Sequence, residues 1–209
     1  MNHTVNAVKS TTNSDKVLLL SKDNHVLSTG LLDNRSEYIL FVENYDKKKD
    51  RYVVRYFANE SEFENYAAQH LNNPHYRTAL NKLHNMQVIR ESAIRNGDIY
   101  KTDPSQFSDE TRALLVQYSA IRSDNTAHRG IGVLYDKRNF NGSTYPLLPY
   151  NWSYGWFRNR AESVTIFADD AVLCDKRWFR GAKVFIIGFP VGNFDLWRLH
   201  FANRAESNF

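Results

Sequence analysis

Between residues 16 and 57 the chain reads as short runs of apolar, β-branched and aromatic residues cut by turn-forming ones. Residues 16–21 and 25–32 predict two strands around a turn at Lys22-Asp23-Asn24, and residues 38–44 and 51–57 predict two more. The charged run Tyr45-Asp46-Lys47-Lys48-Lys49-Asp50 between the last two is most simply a solvated hairpin loop. The period then changes from two to that of a helix. Asn59 with Glu62, or Ser61 with Glu64, forms a capping box, and a helix follows through Leu71. Asn73 and Pro74 open a second helix, whose inward face is marked by Tyr76, Leu80, Leu83, Gln87 and Ile94 and which ends at Asn96-Gly97. A third follows Asp103-Pro104 or Ser108, with Leu114, Leu115, Tyr118 and Ile121 inward. Strands followed by helices predict an α+β domain over residues 16–122, with the helices on one face of an antiparallel meander. Residues 1–15 read as a flexible tail and 123–129 as a linker to a second domain at 130–209.

The second half contains one pattern twice. Tyr135-Asp136-Lys137-Arg138-Asn139-Phe140-Asn141-Gly142 returns 39 positions later as Cys174-Asp175-Lys176-Arg177-Trp178-Phe179-Arg180-Gly181. Asn159-Arg160-Ala161-Glu162-Ser163 returns 44 positions later as Asn203-Arg204-Ala205-Glu206-Ser207. A period near forty with fixed landmarks marks a duplicated supersecondary unit, and the five added residues between landmarks belong to a loop. Strands are expected at 133–135, 144–147, 163–168, 171–174 and 183–187, with a short closing strand near Ser207.

Composition narrows the classes. At 209 residues, 42% apolar and 24% charged, the chain is globular in character and no stretch approaches a membrane span. One cysteine, Cys174, excludes an internal disulfide framework and a cysteine-based zinc site. Lys/Arg and Asp/Glu balance at 16 each up to residue 125, whereas residues 126–209 carry 11 against 7, so the whole excess of +4 lies in the duplicated part. That part also holds all four tryptophans. The surplus is small beside the basic stripe that phosphate binding requires, and most of the aromatics fall at repeat landmarks, so nucleic acid is not an expected partner. The polar opening lacks the cationic and apolar blocks of a secretion signal, and secreted and cytoplasmic locations both stay open.

In each copy an aromatic corner, a second aromatic and a glycine describe a folded hairpin. A serine some twenty residues on is placed to pin that hairpin to the next strand. The pattern Tyr135-x4-Phe140-x-Gly142 followed by Ser163 resembles the Greek key motif of the βγ-crystallin superfamily. The second copy matches at Phe179, Gly181 and Ser207 and departs at Cys174, where the family has an aromatic residue. The resemblance implies an all-β Greek key sandwich of about eight strands over residues 130–209. It also implies two calcium sites in a stretch of the form Asn/Asp-Asn/Asp-x-x-Ser/Thr-Ser. Here that stretch reads Arg158-Asn159-Arg160-Ala161-Glu162-Ser163 and Ala202-Asn203-Arg204-Ala205-Glu206-Ser207, matching at its second and sixth positions. The calcium ligands so implied are Asn159, Glu162, Asn203 and Glu206, with Asp136 and Asp175 contributing from the neighbouring loop. Arg160 and Arg204 place positive charge beside both sites, and the alternative is a decayed site closed by internal ion pairs.

Three functions follow. The first is a non-enzymatic βγ-crystallin-like protein, structural, stress-related or secreted, stabilised by any calcium that binds only its folded state and carrying an N-terminal interaction domain for an unidentified protein partner. The second is a secreted inhibitor or toxin-like factor acting through that domain. The third is a weak hydrolase, with general acid or base groups drawn from Glu43, Glu60, Glu62, Glu64 and His70. Cys174 as a nucleophile has His200 as its only late partner. His70, His75 and His84 do not share one helix face and read as surface or half-buried residues.

Overall fold

The computed structural model describes residues 16–33, 35–120, 131–148, 151–167, 170–188, 192–199 and 201–209. The expected tail and linker lie outside them, as do Ile121, Ala168 and His200. The strands are β1 (Val17–Leu20), β2 (Ile39–Asp46), β3 (Arg51–Phe57), β4 (Gly132–Lys137), β5 (Asn141–Leu147), β6 (Ser163–Ile166), β7 (Asp170–Lys176), β8 (Arg180–Ile187), β9 (Gly192–Asp195) and β10 (Ser207–Asn208). Three helices, α1 (Glu60–Gln69), α2 (Pro74–Arg95) and α3 (Asp109–Ala120), follow β3.

The strands make two sheets, ordered β1-β3-β2-β8-β7-β10 and β5-β4-β6-β9. The larger joins both halves of the chain. β2 runs parallel to β8 in the register Ile39↔Lys183 to Val42↔Ile186, and the Lys183 amide donates to Tyr38 O at 2.8 Å. The division expected at 123–129 is therefore not a division between sheets. The physical reason lies in β2, where Ile39, Leu40, Phe41 and Val42 are all buried, so the strand needs cover on both faces. Leu40, Val42, Val184 and Ile186 face the smaller sheet, while Ile39, Phe41, Phe185 and Ile187 face the helices. The result is three layers: helices, a six-stranded sheet and a four-stranded sheet.

The N-terminal strands are not the expected meander. β2 and β3 are an antiparallel pair, but β1 lies parallel to β3. Residues 25–32 form a single bridge, Leu20↔Val26, and a 3₁₀ turn at Thr29–Leu32 instead of a strand. The Arg55 guanidinium holds the start of this connection by donating to Ser21 O, Lys22 O and Asn24 Oδ1, which spares it from continuing a ladder.

The helices begin where their caps predict. Asn59 Oδ1 accepts from the Glu62 amide at 2.9 Å, and Asn73 Oδ1 accepts from the His75 amide at 2.9 Å with Pro74 in the first turn. α2 ends at Arg95, capped by Asn96 and followed by Gly97, whose φ is +69°. Its buried stripe is Tyr76, Ala79, Leu83, Met86, Ile89 and Ala93. Ala93 takes the inward slot beside Ile94, which is 51% exposed rather than buried as expected. Phe63, Leu83 and Met86 are fully buried against the sheet and stabilise the layer by about 1.5–3 kcal/mol each.

The repeats interleave. The smaller sheet takes β4, β5 and β6 from the first copy and β9 from the second. The larger takes β7, β8 and β10 from the second, and Asn151 of the first copy adds a bridge to Asn208. β9 was not predicted because Gly192, Asn193 and Asp195 are poor strand formers.

Candidate functional site

Each copy folds its hairpin over a carboxylate. Asn139 and Phe140, and in the second copy Trp178 and Phe179, have positive φ, followed by Gly142 at +86° and Gly181 at +70°. A Cβ on Gly142 would lie 2.2 Å from Asp136 Oδ1, and one on Gly181 would lie 1.8 Å from Asp175 Oδ1, so glycine is required by both angle and space. Ser163 Oγ donates to Lys137 O at 2.8 Å and accepts from the Phe140 amide at 3.2 Å. Ser207 Oγ repeats this with Lys176 O at 2.7 Å and the Phe179 amide at 3.2 Å. Both serines are fully buried, as pins between bend and strand.

The aromatic corners differ. Tyr135 and Phe140 meet edge to face with centroids 6.0 Å apart. At the second corner Cys174 is fully buried against the helical layer, and Phe179 packs edge-on against Phe209 at 5.5 Å. Phe209 thus supplies the ring that Cys174 lacks. Burial pushes the Cys174 thiol up to about 12, which removes it as a nucleophile at neutral pH. His200, its proposed partner, lies outside the described residues.

The residues expected to hold calcium meet arginine. Asp136 Oδ1 accepts from the Ser143 amide at 2.7 Å and its Oδ2 from Arg160 Nη2 at 2.9 Å. Asp175 Oδ2 accepts from Arg204 Nη2 at 2.7 Å, and the other Arg204 nitrogen donates to Tyr38 OH at 2.6 Å. Arg160 lies over Phe157 at 5.8 Å and Arg204 between Tyr38 and Phe201 at 5.2 and 5.7 Å. Phe157 and Phe201 are equivalent residues of the two copies, so Phe-x-x-Arg closing on Asp is itself part of the repeat. Burial raises the Asp175 carboxyl against the pull of Arg204, whereas at Asp136 the Ser143 and Arg160 contacts outweigh burial and lower it. The two copies also touch: Asn159 Nδ2 donates to Glu206 Oε1 at 2.9 Å. The Asn159 amide donates to Ala205 O and the Asn203 amide to Ala161 O, and Glu162 receives the Leu196 amide on its backbone oxygen. Among the described residues no three His, Cys, Asp or Glu side chains gather in a way that could hold a metal. The donor set as placed does not fit a calcium site, because a guanidinium takes the outer oxygen of each aspartate.

The candidate acid and base groups of the N-terminal half are engaged by the fold. Glu43 accepts from Arg55 Nε and Tyr76 OH, both at 2.5 Å. Glu60 accepts from both Arg90 terminal nitrogens at 2.9 Å and pairs with Lys183 Nζ at 2.7 Å. Glu62 returns to the Ala58 amide at 2.6 Å, and Glu64 shares the Gln87 amide with Glu60. His70 stacks on Tyr66 at 4.0 Å and donates from Nδ1 to Tyr66 O at 2.7 Å. Among the described residues Glu60 and Glu64 meet on Gln87, and Glu43 and His70 both reach Tyr76, the first by a hydrogen bond and the second by a ring contact at 5.8 Å. Sequence reasoning missed Lys183, 1% exposed, although a lysine inside the apolar run 182–187 was a visible signal.

The glycine-bent hairpins, their pinning serines and the exchange of strands between copies make residues 132–209 a βγ-crystallin-like fold. A solved structure described under the evolution of the eye lens βγ-crystallin domain fold is similar, at 16% identity over 41% of this chain and 88% of that one, with a TM-score of 0.36. A βγ-crystallin from Ciona intestinalis is similar at 14% identity over 37% and 94%, with a TM-score of 0.33. No protein-family model matches the chain, and a comparison with curated proteins found no match.

Proposed function

We propose that the protein is a non-enzymatic structural module in which the N-terminal strands and helices form the outer layer of a βγ-crystallin-like core and present the surface for a protein partner. The observation that carries this reading is that Glu43, Glu60, Glu62, Glu64 and His70 are all engaged by the protein itself. Glu43, Glu60 and Glu64 are in bonds that join different elements, and Glu62 and His70 are in bonds to the backbone at the two ends of their own helix. A general base needs a carboxylate or imidazole turned toward substrate, and these are turned toward the fold. The partner surface is assigned to the outer side of the helical layer, where Val88 on α2 is 42% exposed.

The test uses the full chain, since the shared sheet ties both halves together. Ester, phosphate, glycoside and peptide substrates are expected to show no turnover above buffer. Turnover abolished by Glu43→Gln or His70→Ala would overturn the non-enzymatic reading. A crosslinked partner lost on Val88→Glu would support the role of the helical layer.

A further inference from the structure

We propose that Arg160 and Arg204 are built-in cations that replace a divalent ion at the two bends, so that the fold is locked without calcium. The inference rests on the βγ-crystallin-like reading of the fold and not on the reading of function. In both copies the carboxylate beside the bend glycine has one oxygen turned to the backbone of the bend and the other closed by a guanidinium. The same Phe-x-x-Arg spacing delivers both arginines, and each stacks on the phenylalanine three residues before it. A carboxylate 9–11% exposed needs a positive neighbour, and a guanidinium supplies the charge with directed donors and little hydration to lose. Repetition of the Phe-x-x-Arg spacing and of the Asp–Arg pair in both copies separates it from a chance surface pair, which contributes little. The copies differ at the other oxygen, where Asp136 Oδ1 accepts the Ser143 amide and Asp175 Oδ1 is buried without a hydrogen-bond partner among the described residues. The second clasp does more than the first, because Arg204 also reaches Tyr38 of the N-terminal half.

The experiment follows thermal melting of the full chain after chelation, with and without millimolar calcium, for the wild type and for Arg160→Ala/Arg204→Ala. The wild type is expected to melt identically in chelator and in calcium. The double variant should melt about 2–4 °C lower for each clasp broken. Calcium should then restore part of that loss, while an equal ionic strength of sodium chloride should not, since the bared aspartates regain a cation. A calcium-dependent rise in the wild type overturns the proposal. So does a double variant that calcium fails to restore. Should the double variant not fold, Arg160→Ala alone carries the same comparison, because its side chain is 45% exposed and little packing is lost with it. A wild type that ignores calcium yet turns over a substrate would refute the functional reading and leave this one standing.

Discussion

Replacing Glu60 by glutamine removes the carboxylate that joins α1 to both α2 and β8. Lys183, 1% exposed, is then left among the described residues with neutral acceptors alone, the Gly181 carbonyl at 2.9 Å and the amide oxygen of the new glutamine, and Arg90 loses a bidentate carboxylate. Taking one partner from a buried pair costs about 3–5 kcal/mol, and the 24% exposure of Glu60 places this site near the lower end. The protonation balance gives a similar figure. Burial raises the Glu60 carboxyl, but the Arg90 bond and the Lys183 charge outweigh it and hold it at about 2, down from 4.5. A carboxyl depressed by that much contributes about 3 kcal/mol, present above its unfolded pKa and lost as pH falls from about 4.5 through about 2. The assay is urea unfolding of the wild type, Glu60→Gln, Lys183→Met and the double variant at neutral pH, with the wild type and Glu60→Gln repeated down to acid pH. Glu60→Gln should lose about 3 kcal/mol, and the double variant should recover part of it because the Lys183 charge, 1% exposed, is gone and the remaining Arg90 charge is 20% exposed. The wild type should approach the Glu60→Gln variant in acid. A Glu60→Gln cost below about 1 kcal/mol, or four values that add without coupling, would refute the reasoning.

Two further outcomes concern the bends. Ser207→Ala leaves the Phe179 amide and the Lys176 carbonyl without their buried partner and should cost about 1–3 kcal/mol by denaturant unfolding, with Ser163→Ala costing a similar amount at the equivalent place. An unchanged midpoint for both would mean that the serines do not pin the hairpins. Gly181→Ala forces a side chain to φ +70° and into the Asp175 carboxylate, so its loss should exceed the roughly 1–2 kcal/mol of the left-handed backbone alone. Gly97→Ala, at φ +69° with no atom within 4 Å of the added carbon, isolates that backbone part.

What the chain discloses locally was legible, and what depends on distant pairing was not. The bends at Gly142 and Gly181 and the serines that pin them follow from spacing within forty residues, as do the helix starts at Asn59 and Asn73. The parallel pairing of β2 with β8 joins residues more than a hundred positions apart, and periodicity carries no mark of a strand's partner. Its trace was nonetheless present, because residues 39–42 and 184–187 are apolar without alternation, as strands covered on both faces are. At the bends, the sequence placed Arg160 and Arg204 beside the expected calcium ligands. Only the fold shows that their partners are Asp136 and Asp175 and not Glu162 and Glu206.

The departures from the repeat have one common cause in the helical layer. In the first copy the outward positions Thr144 and Pro146 are exposed, Leu148 is 48% exposed, and Val133 and Tyr135 are half-buried. Their equivalents in the second copy, Lys183, Phe185, Ile187, Val172 and Cys174, are all at most 1% exposed. A face that must accept helices needs apolar side chains, which accounts for Phe185, Ile187 and Cys174 lying in one cluster with Phe63, Leu83 and Met86. Lys183, a charge on the second copy's share of that face, is placed where Glu60 and Arg90 descend from the helices to meet it. The asymmetry between the copies follows the helical layer, which packs on the larger sheet that strands of both halves of the chain share.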